Sequence, residues 1–473
     1  MYPAQTSLMP IQIALARFVE QGGNVFGNYP FWYLGTTPFR YLTGPFLPFV
    51  LNFLHRALPN FSLFEIFFLI IGVFWVIGTG GVYLLVKELK GEKMTAVHSA
   101  LFYLFGLIIP LLFRFSNGLY LIAFSFLPYL LILYSNLLRK RTLSLGIVLS
   151  LLISFMILVD SLILPTLVVG MAAIFLVQVG WKKAEEKLKS SLLLLFFGIL
   201  IATLWYTPGY WLILFGAPSL AGKGLLSVVV WLGKLLPTAL AFGIAILSVK
   251  FFKKKDLLRD FCLYWLFIFG FLTLLRFLSD PDFWLDWIAY GTELQFGLAI
   301  LFGLLFELLT KRVEKKKASV ILVLASLLLI VVWLPIFNQA VLGTLQPNIT
   351  QTIEYKLSKQ ISETASSGER VFLSGTTAFW LNAFFDIPQV RGGVDQASTD
   401  PNWRKATWEL REGTNPEKSV KWLKDLDVSY LVVHTEESKE FYHDFTSPEK
   451  FEKAEGLKRI YDEEGDWIYR VLD

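Results

Sequence analysis

Ten apolar stretches of membrane-spanning length run between Ser62 and Pro335, and the basic residues separating them fall almost entirely in alternate loops. A helix crossing a ~30 Å hydrocarbon core needs about 20 mostly apolar residues. The candidates are 62–86, 95–113, 118–137, 143–159, 162–180, 191–212, 229–249, 260–278, 292–309 and 318–335. The pair 143–159 and 162–180 is read as two spans, because one helix of about 38 residues would be about 57 Å long. Asp160 and Ser161 then form a hairpin tip. Loops 87–94, 138–142, 181–190, 250–259 and 310–317 carry 20 of the 27 Lys and Arg of residues 1–335. Cytoplasmic loops are the ones enriched in Lys and Arg, so residues 1–61 and the chain beyond 335 are expected outside the cytoplasm. The expected fold is an α-helical polytopic membrane protein of about ten spans with a C-terminal extracytoplasmic α/β domain.

Composition narrows the function. With 55% apolar residues, 16% aromatics and a mean hydropathy of +0.56, the chain is not a soluble domain. The net charge of +5 conceals two opposite parts, with 27 basic and 15 acidic residues before 336 and 16 and 23 after it. An acidic outer domain argues against nucleic acid as a partner. Cys262 is the only cysteine and the four histidines are scattered, so neither a disulfide framework nor a zinc cluster is expected. The opening residues lack the basic and apolar blocks of a signal peptide and read as an amphipathic helix from about Ser7 to Gln21. An outside N-terminus before ten spans leads to the expectation of a further span upstream.

Three domains are expected: 1–61, an extracytoplasmic aromatic and proline-rich loop with interfacial helices; 62–335, the transmembrane helices; and 336–473, the α/β domain. Residues 24–45 interleave glycine and proline with Phe, Tyr and Trp, which suits an interfacial loop with rings at headgroup depth. Residues 46–58 read as a short interfacial helix. Loop 213–228 is Gly-rich, and loop 279–291 (SDPDFWLDWIAYG) concentrates three aspartates and two tryptophans. Beyond Asn338 the patterns give helices 351–365, 376–384, 402–411, 416–425 and 446–454, strands 370–374 and 428–434, and a hairpin of 457–462 with 466–472 around Glu464-Gly465.

The aromatic, proline-rich first loop, the many spans and the outer C-terminal domain together resemble the GT-C superfamily of membrane glycosyltransferases. Gly27, Pro30, Trp32, Gly35, Pro38, Tyr41 and Pro45 stand in the order seen in prokaryotic membrane proteins called 6-pyruvoyl-tetrahydropterin-synthase-related, the narrower likeness. The resemblance implies a polyprenyl-phosphate-linked sugar donor, an extracytoplasmic glycan or lipid acceptor, and work at the lipid bilayer. It also implies an aspartate soon after a first span, and this chain has none before Asp160.

Such chemistry needs a carboxylate to deprotonate the acceptor, a cation to stabilise the leaving phosphate and aromatic faces for the sugar. The acids assigned to the exterior are Glu20, Glu65, Asp160, Asp280, Asp282, Asp286 and Glu293. Asp282, Asp280, Glu65 and Glu20 are the catalytic candidates. Asp280-Pro281-Asp282 has the D-x-D spacing of a divalent-metal site, for Mg or Mn, although Asp280 before Pro281 also fits a helix cap. Glu65 near a helix start suits the helix dipole, and Asp160 suits a turn. The substrate-binding candidates are Arg40, Trp32, Tyr33, Tyr41, Trp284, Trp287, Arg276 and Arg391. Arg40 suits a lipid phosphate or interfacial snorkelling, Arg276 a pyrophosphate or a salt bridge with Asp280, and Arg391, in PQVRGGVDQ, a sugar or phosphate or a packed turn. Two rival readings stand beside a transferase: a transporter or lipid-handling protein, which places charges near the bilayer midplane, and a non-catalytic scaffold of envelope-glycan assembly.

Overall fold

The computed structural model describes the chain apart from residues 1, 4–7, 38, 40–43, 107–117, 141, 180–183, 209, 212–239, 241–242, 245–255, 280–286, 312–314, 341–344, 347, 394–397, 399, 401 and 473. By contacts it divides into a mixed unit, Met1–Phe67 with Gly343–Asp473, and a helical unit, Phe68–Leu342. In chain order come β1 (Tyr2–Pro3), α1 (Leu8–Glu20), α2 (Phe46–Ala57), α3 (Leu63–Glu88), α4 (Lys93–Leu104), α5 (Gly118–Lys140), α6 (Leu143–Val159), α7 (Ile163–Gln178), α8 (Ala184–Thr203), α9 (Leu257–Ser279), α10 (Trp287–Thr310) and α11 (Lys315–Ala340). The C-terminal region adds β2 (Leu345–Gln346), α12 (Ile353–Thr364), β3 (Arg370–Phe372), α13 (Thr377–Phe384), α14 (Asn402–Arg411), α15 (Pro416–Asp425), β4 (Val428–His434), β5 (Leu457–Glu463) and β6 (Asp466–Val471). The expected helix over 446–454 is a 3-10 turn, Pro448–Lys453.

Among the described residues four helical segments are long and apolar enough to cross a membrane: Leu63–Glu88, Gly118–Lys140, Leu257–Leu274 and Tyr290–Thr310. Leu143–Val159 and Ile163–Gln178 are apolar and shorter. Of the other expected spans, 95–113 is helical to Leu104 and 191–212 as far as Thr203, while 318–335 falls inside α11. The stretch 229–249 lies almost wholly outside the described residues.

Small residues set the spacing in the helical unit. A Cβ on Gly303 of α10 would fall 2.7 Å from the Thr95 carbonyl of α4, so these helices approach as closely as glycine permits. Thr95 donates to the Glu307 carboxylate one turn along, and the Phe102 and Phe302 rings stack at 4.7 Å. Gly303→Val is expected to force this seam apart and lower unfolding stability by about 1–3 kcal/mol. Thermal unfolding in detergent checks it, an unchanged midpoint being the contrary result. Gly78 and Gly81 of α3 likewise admit Ser125 and Tyr129 of α5, at 3.0 and 2.8 Å from where a Cβ would stand.

The mixed unit is built around the four-stranded order β3-β4-β6-β5, in which β3 and β4 are parallel and the other pairs antiparallel. Tyr430 to Val433 of β4 are all buried, as a strand covered on both faces requires. Glu464 and Gly465 both have positive φ, at 52° and 81°, which is the two-residue hairpin turn that matches strand twist. On one side of the sheet, Leu357 and Ile361 of α12 and Ala378 and Leu381 of α13 pack with Val371, Tyr430, Val432 and Ile468. The N-terminal segment belongs to this unit. Pro3 pairs with Leu345 across β1 and β2, Arg17 of α1 meets Asp386 at 3.4 Å, and Gln21 donates to the same carboxylate at 2.7 Å.

The first loop is held by protein, which differs from rings laid out at headgroup depth. Tyr29 and Thr36 exchange backbone hydrogen bonds of 2.6 and 3.0 Å, Gln389 N donates to the Phe31 carbonyl at 3.0 Å and Tyr33 N to the Arg391 carbonyl at 3.2 Å. Trp32 is fully buried, because Gly392 and Gly393 carry no side chains where its indole lies. A Cβ on Gly392, whose φ is +146°, would fall 2.2 Å from the ring.

Candidate functional site

In the helical unit, polar groups collect where α6 turns into α7 and within the first turns of α5, α7 and α10. The antiparallel run of these helices places all of them at one end. Glu293 of α10 is fully buried. Its Oε1 accepts from Thr166 Oγ1 of α7 at 2.6 Å and from the Tyr120 hydroxyl of α5, and those two hydroxyls are 2.9 Å apart. Trp265 of α9 donates to the Glu293 carbonyl at 2.7 Å. Four helices therefore meet at one residue. Its Oε2 is buried and makes no hydrogen bond among the described residues.

Asp160 closes α6, and its Oδ1 accepts from Leu162 N at 2.9 Å. This side-chain turn starts α7 and satisfies an amide that the helix itself leaves unpaired. The Tyr206 and Tyr210 rings stack at 3.9 Å; Tyr210 donates to Ser161 Oγ and Tyr206 to the Ile157 carbonyl, the latter at 3.3 Å. Asp160 lies within electrostatic range of Tyr120, Tyr206 and Tyr210. Burial pushes its carboxyl up to about 6. It is ionised at neutral pH and basic enough to accept a proton, the combination a general base needs.

The mixed unit holds a second polar cluster, at the carboxyl ends of the parallel strands β3 and β4. Ser374-Gly375-Thr376 leads from β3 into α13. Thr376 N donates to Glu440 Oε1 at 2.9 Å and Gly375 N to Asp444 Oδ2 at 3.2 Å. Arg391 and Arg411 reach Asp444 at 3.2 and 3.1 Å, and Ser374 donates to it as well. Burial alone would raise the Asp444 carboxyl, but Ser374, the two guanidinium groups and Gly375 N hold it below the usual carboxylate range. His434 meets Asp466 at 2.7 Å and Thr377 Oγ1 at 3.2 Å. That order of carboxylate, imidazole and hydroxyl is closed off, since all three residues are buried.

The residues singled out in the sequence are dispersed among these environments. Glu65 and Ser62 form a reciprocal cap at the start of α3, with Ser62 N donating to Glu65 Oε2 at 2.8 Å and Glu65 N to Ser62 Oγ at 3.3 Å. Glu20 ends α1 and meets His55 Nδ1 at 3.0 Å. Trp32 and Tyr33 are buried, and the Tyr33 hydroxyl donates to the Gly393 carbonyl at 3.1 Å. Arg391 is bound to Ser374 Oγ at 2.8 Å and to Asp444. Asp280, Asp282, Asp286, Trp284, Arg40 and Tyr41 lie outside the described residues, and for Arg276 and Trp287 only the helical backbone is described. No group of three or more His, Cys, Asp or Glu placed to hold a metal occurs among the described residues. Tyr120, Thr166, Ser374 and Asp444 were not anticipated. Only Ser374 carried a signal, the Ser-Gly-Thr-Thr turn after a strand.

No family model matches the chain, and no curated protein does. Solved structures do. The oligosaccharyltransferase of Archaeoglobus fulgidus, solved with zinc and sulfate, matches at TM-score 0.52 and 16% identity, over 99% of this chain and 70% of its own. ArnT from Cupriavidus metallidurans matches at TM-score 0.51 and 12% identity, over 99% and 94%. The mycobacterial arabinofuranosyltransferase AftD matches at TM-score 0.57 and 13% identity; there this chain covers 40% of the longer protein. These neighbours are membrane glycosyltransferases of the GT-C superfamily, and the likeness is one of fold.

Proposed function

We propose that the chain is a GT-C-type membrane glycosyltransferase that moves a sugar from a polyprenyl-phosphate carrier to an extracytoplasmic glycan or lipid. The observation that carries this reading is the fold likeness to ArnT, which takes in 99% of this chain and 94% of that one. The narrower pterin-synthase-related likeness rests on Gly27, Pro30, Trp32, Gly35, Pro38, Tyr41 and Pro45 alone. The candidate residues are Asp282 and Asp280 of loop 279–291, with Trp284 and Trp287 of the same loop as stacking faces, and, separately, Arg40 for a carrier phosphate. Two carboxylates at D-x-D spacing form an oxygen donor set suited to Mg or Mn. Such an ion would neutralise the leaving phosphate. Loss of a catalytic carboxylate lowers turnover by roughly a hundred-fold or more, while loss of a surface acid shifts stability by no more than about 0.5 kcal/mol. Purified Asp282→Asn and Arg40→Ala, assayed with polyprenyl-phosphate sugars, are expected to lose transfer and stay folded. Unchanged transfer in both would refute this site.

The scaffold reading keeps one specific support. Glu20 and Glu65, the acids of residues 1–67, are both committed to partners, His55 and Ser62.

A further inference from the structure

We infer that Asp160 is a general base that takes the proton of the acceptor hydroxyl, an assignment that rests on the glycosyl-transfer reading above. Four acids named in the sequence as exterior are described, and the structure separates them. Glu20 is engaged by His55, Glu65 caps α3, and Glu293 is fully buried. Asp160 is only partly buried, with Oδ1 held by Leu162 N and Oδ2 making no hydrogen bond among the described residues. One oxygen fixes the carboxylate while the other stays open to a substrate proton.

The surroundings suit that task. Among the described residues, Tyr120 of α5 and Tyr206 and Tyr210, beyond α8, are the titratable groups in electrostatic range of Asp160, and no basic residue is paired with it. The low polarity keeps Asp160 more basic than a solvated aspartate. Behind Tyr120 stands Glu293, a positioning residue whose Oε1 gathers Tyr120 and Thr166. Its Oε2 is buried and makes no hydrogen bond among the described residues, and a buried carboxyl oxygen of that kind calls for a hydroxyl or water beside it. In the transfer step the acceptor oxygen forms its bond to the anomeric carbon as its proton passes to Asp160. The bond from that carbon to the carrier phosphate breaks, and the electron pair leaves with the phosphate.

Asp160→Asn separates this role from a structural one, because the amide oxygen still accepts from Leu162 N while the proton-accepting carboxylate is gone. In the full-length protein in lipid nanodiscs, Asp160→Asn is expected to lose roughly a hundred-fold or more in turnover with the unfolding midpoint unchanged. The wild-type rate should fall as pH drops below about 6, where Asp160 protonates, and the residual rate of the variant should lack that limb. Wild-type turnover in Asp160→Asn would overturn the assignment while leaving the transferase reading standing. So would a loss of turnover matched by a lowered midpoint. A wild type that transfers from no donor in a broad panel overturns both, and is told apart because the failure precedes any substitution.

Discussion

Replacing Asp444 with alanine is expected to cost about 3–5 kcal/mol of folding stability, the range for removing one partner of a buried ion pair. The substitution leaves Arg391 and Arg411 facing each other with no intervening charge, and it frees Ser374 and Gly375 N, which both donate to the carboxylate. The side chains are 15% exposed at Asp444 and 18% and 25% at the two arginines, so solvent screens the repulsion only in part. Because the folded carboxyl is held below its ordinary range, the linkage has a definite sign. The contribution is complete above the unfolded carboxylate pKa of about 4 and is lost as pH falls through that value towards the folded one. Denaturant melts from pH 7 down to pH 3 should show wild type losing stability faster than Asp444→Ala. Parallel curves would remove Asp444 as a source of that dependence.

Trp32→Ala is expected to be comparably damaging, at about 3–5 kcal/mol for emptying a fully buried indole site. The indole fills the space above Gly392 and Gly393, while backbone hydrogen bonds from Gln389 and Tyr33 join the same segments. Loss of the ring should loosen the first loop from residues 388–393. Hydrogen exchange should then report faster exchange at Tyr33 and Gln389, with little change in β5. An unaltered melt and exchange pattern would mean that the ring is not a packing element.

Much of the mixed unit was legible because its signals are local. The apolar run of Tyr430 to Val433 marked a buried strand, and Glu464-Gly465 between alternating residues marked a hairpin. What could not be read was pairing across more than 300 residues. Nothing in the Gly-Gly of PQVRGGVDQ says that the missing side chains make room for Trp32, and a pair of glycines reads equally well as a tight turn. Glu65 shows the same limit on a smaller scale. A carboxylate near a helix start fits catalysis or capping, and only the hydrogen bonds with Ser62 reveal the cap. At the end of the helical unit, the acids Asp160 and Glu293 stood out in the sequence because charges are sparse there. Tyr120 and Thr166 did not, since hydroxyl and aromatic residues are common in apolar helices, and their convergence on Glu293 comes from packing between helices.

The most direct measurement is transfer by the unaltered protein. Purified into lipid nanodiscs and given a panel of polyprenyl-phosphate sugars labelled in the sugar, with glycan and lipid acceptors and with Mg or Mn present, it should move label to an acceptor and release the polyprenyl phosphate. No transfer from any donor, by protein that melts cooperatively, would contradict the proposed glycosyl transfer and leave the scaffold reading.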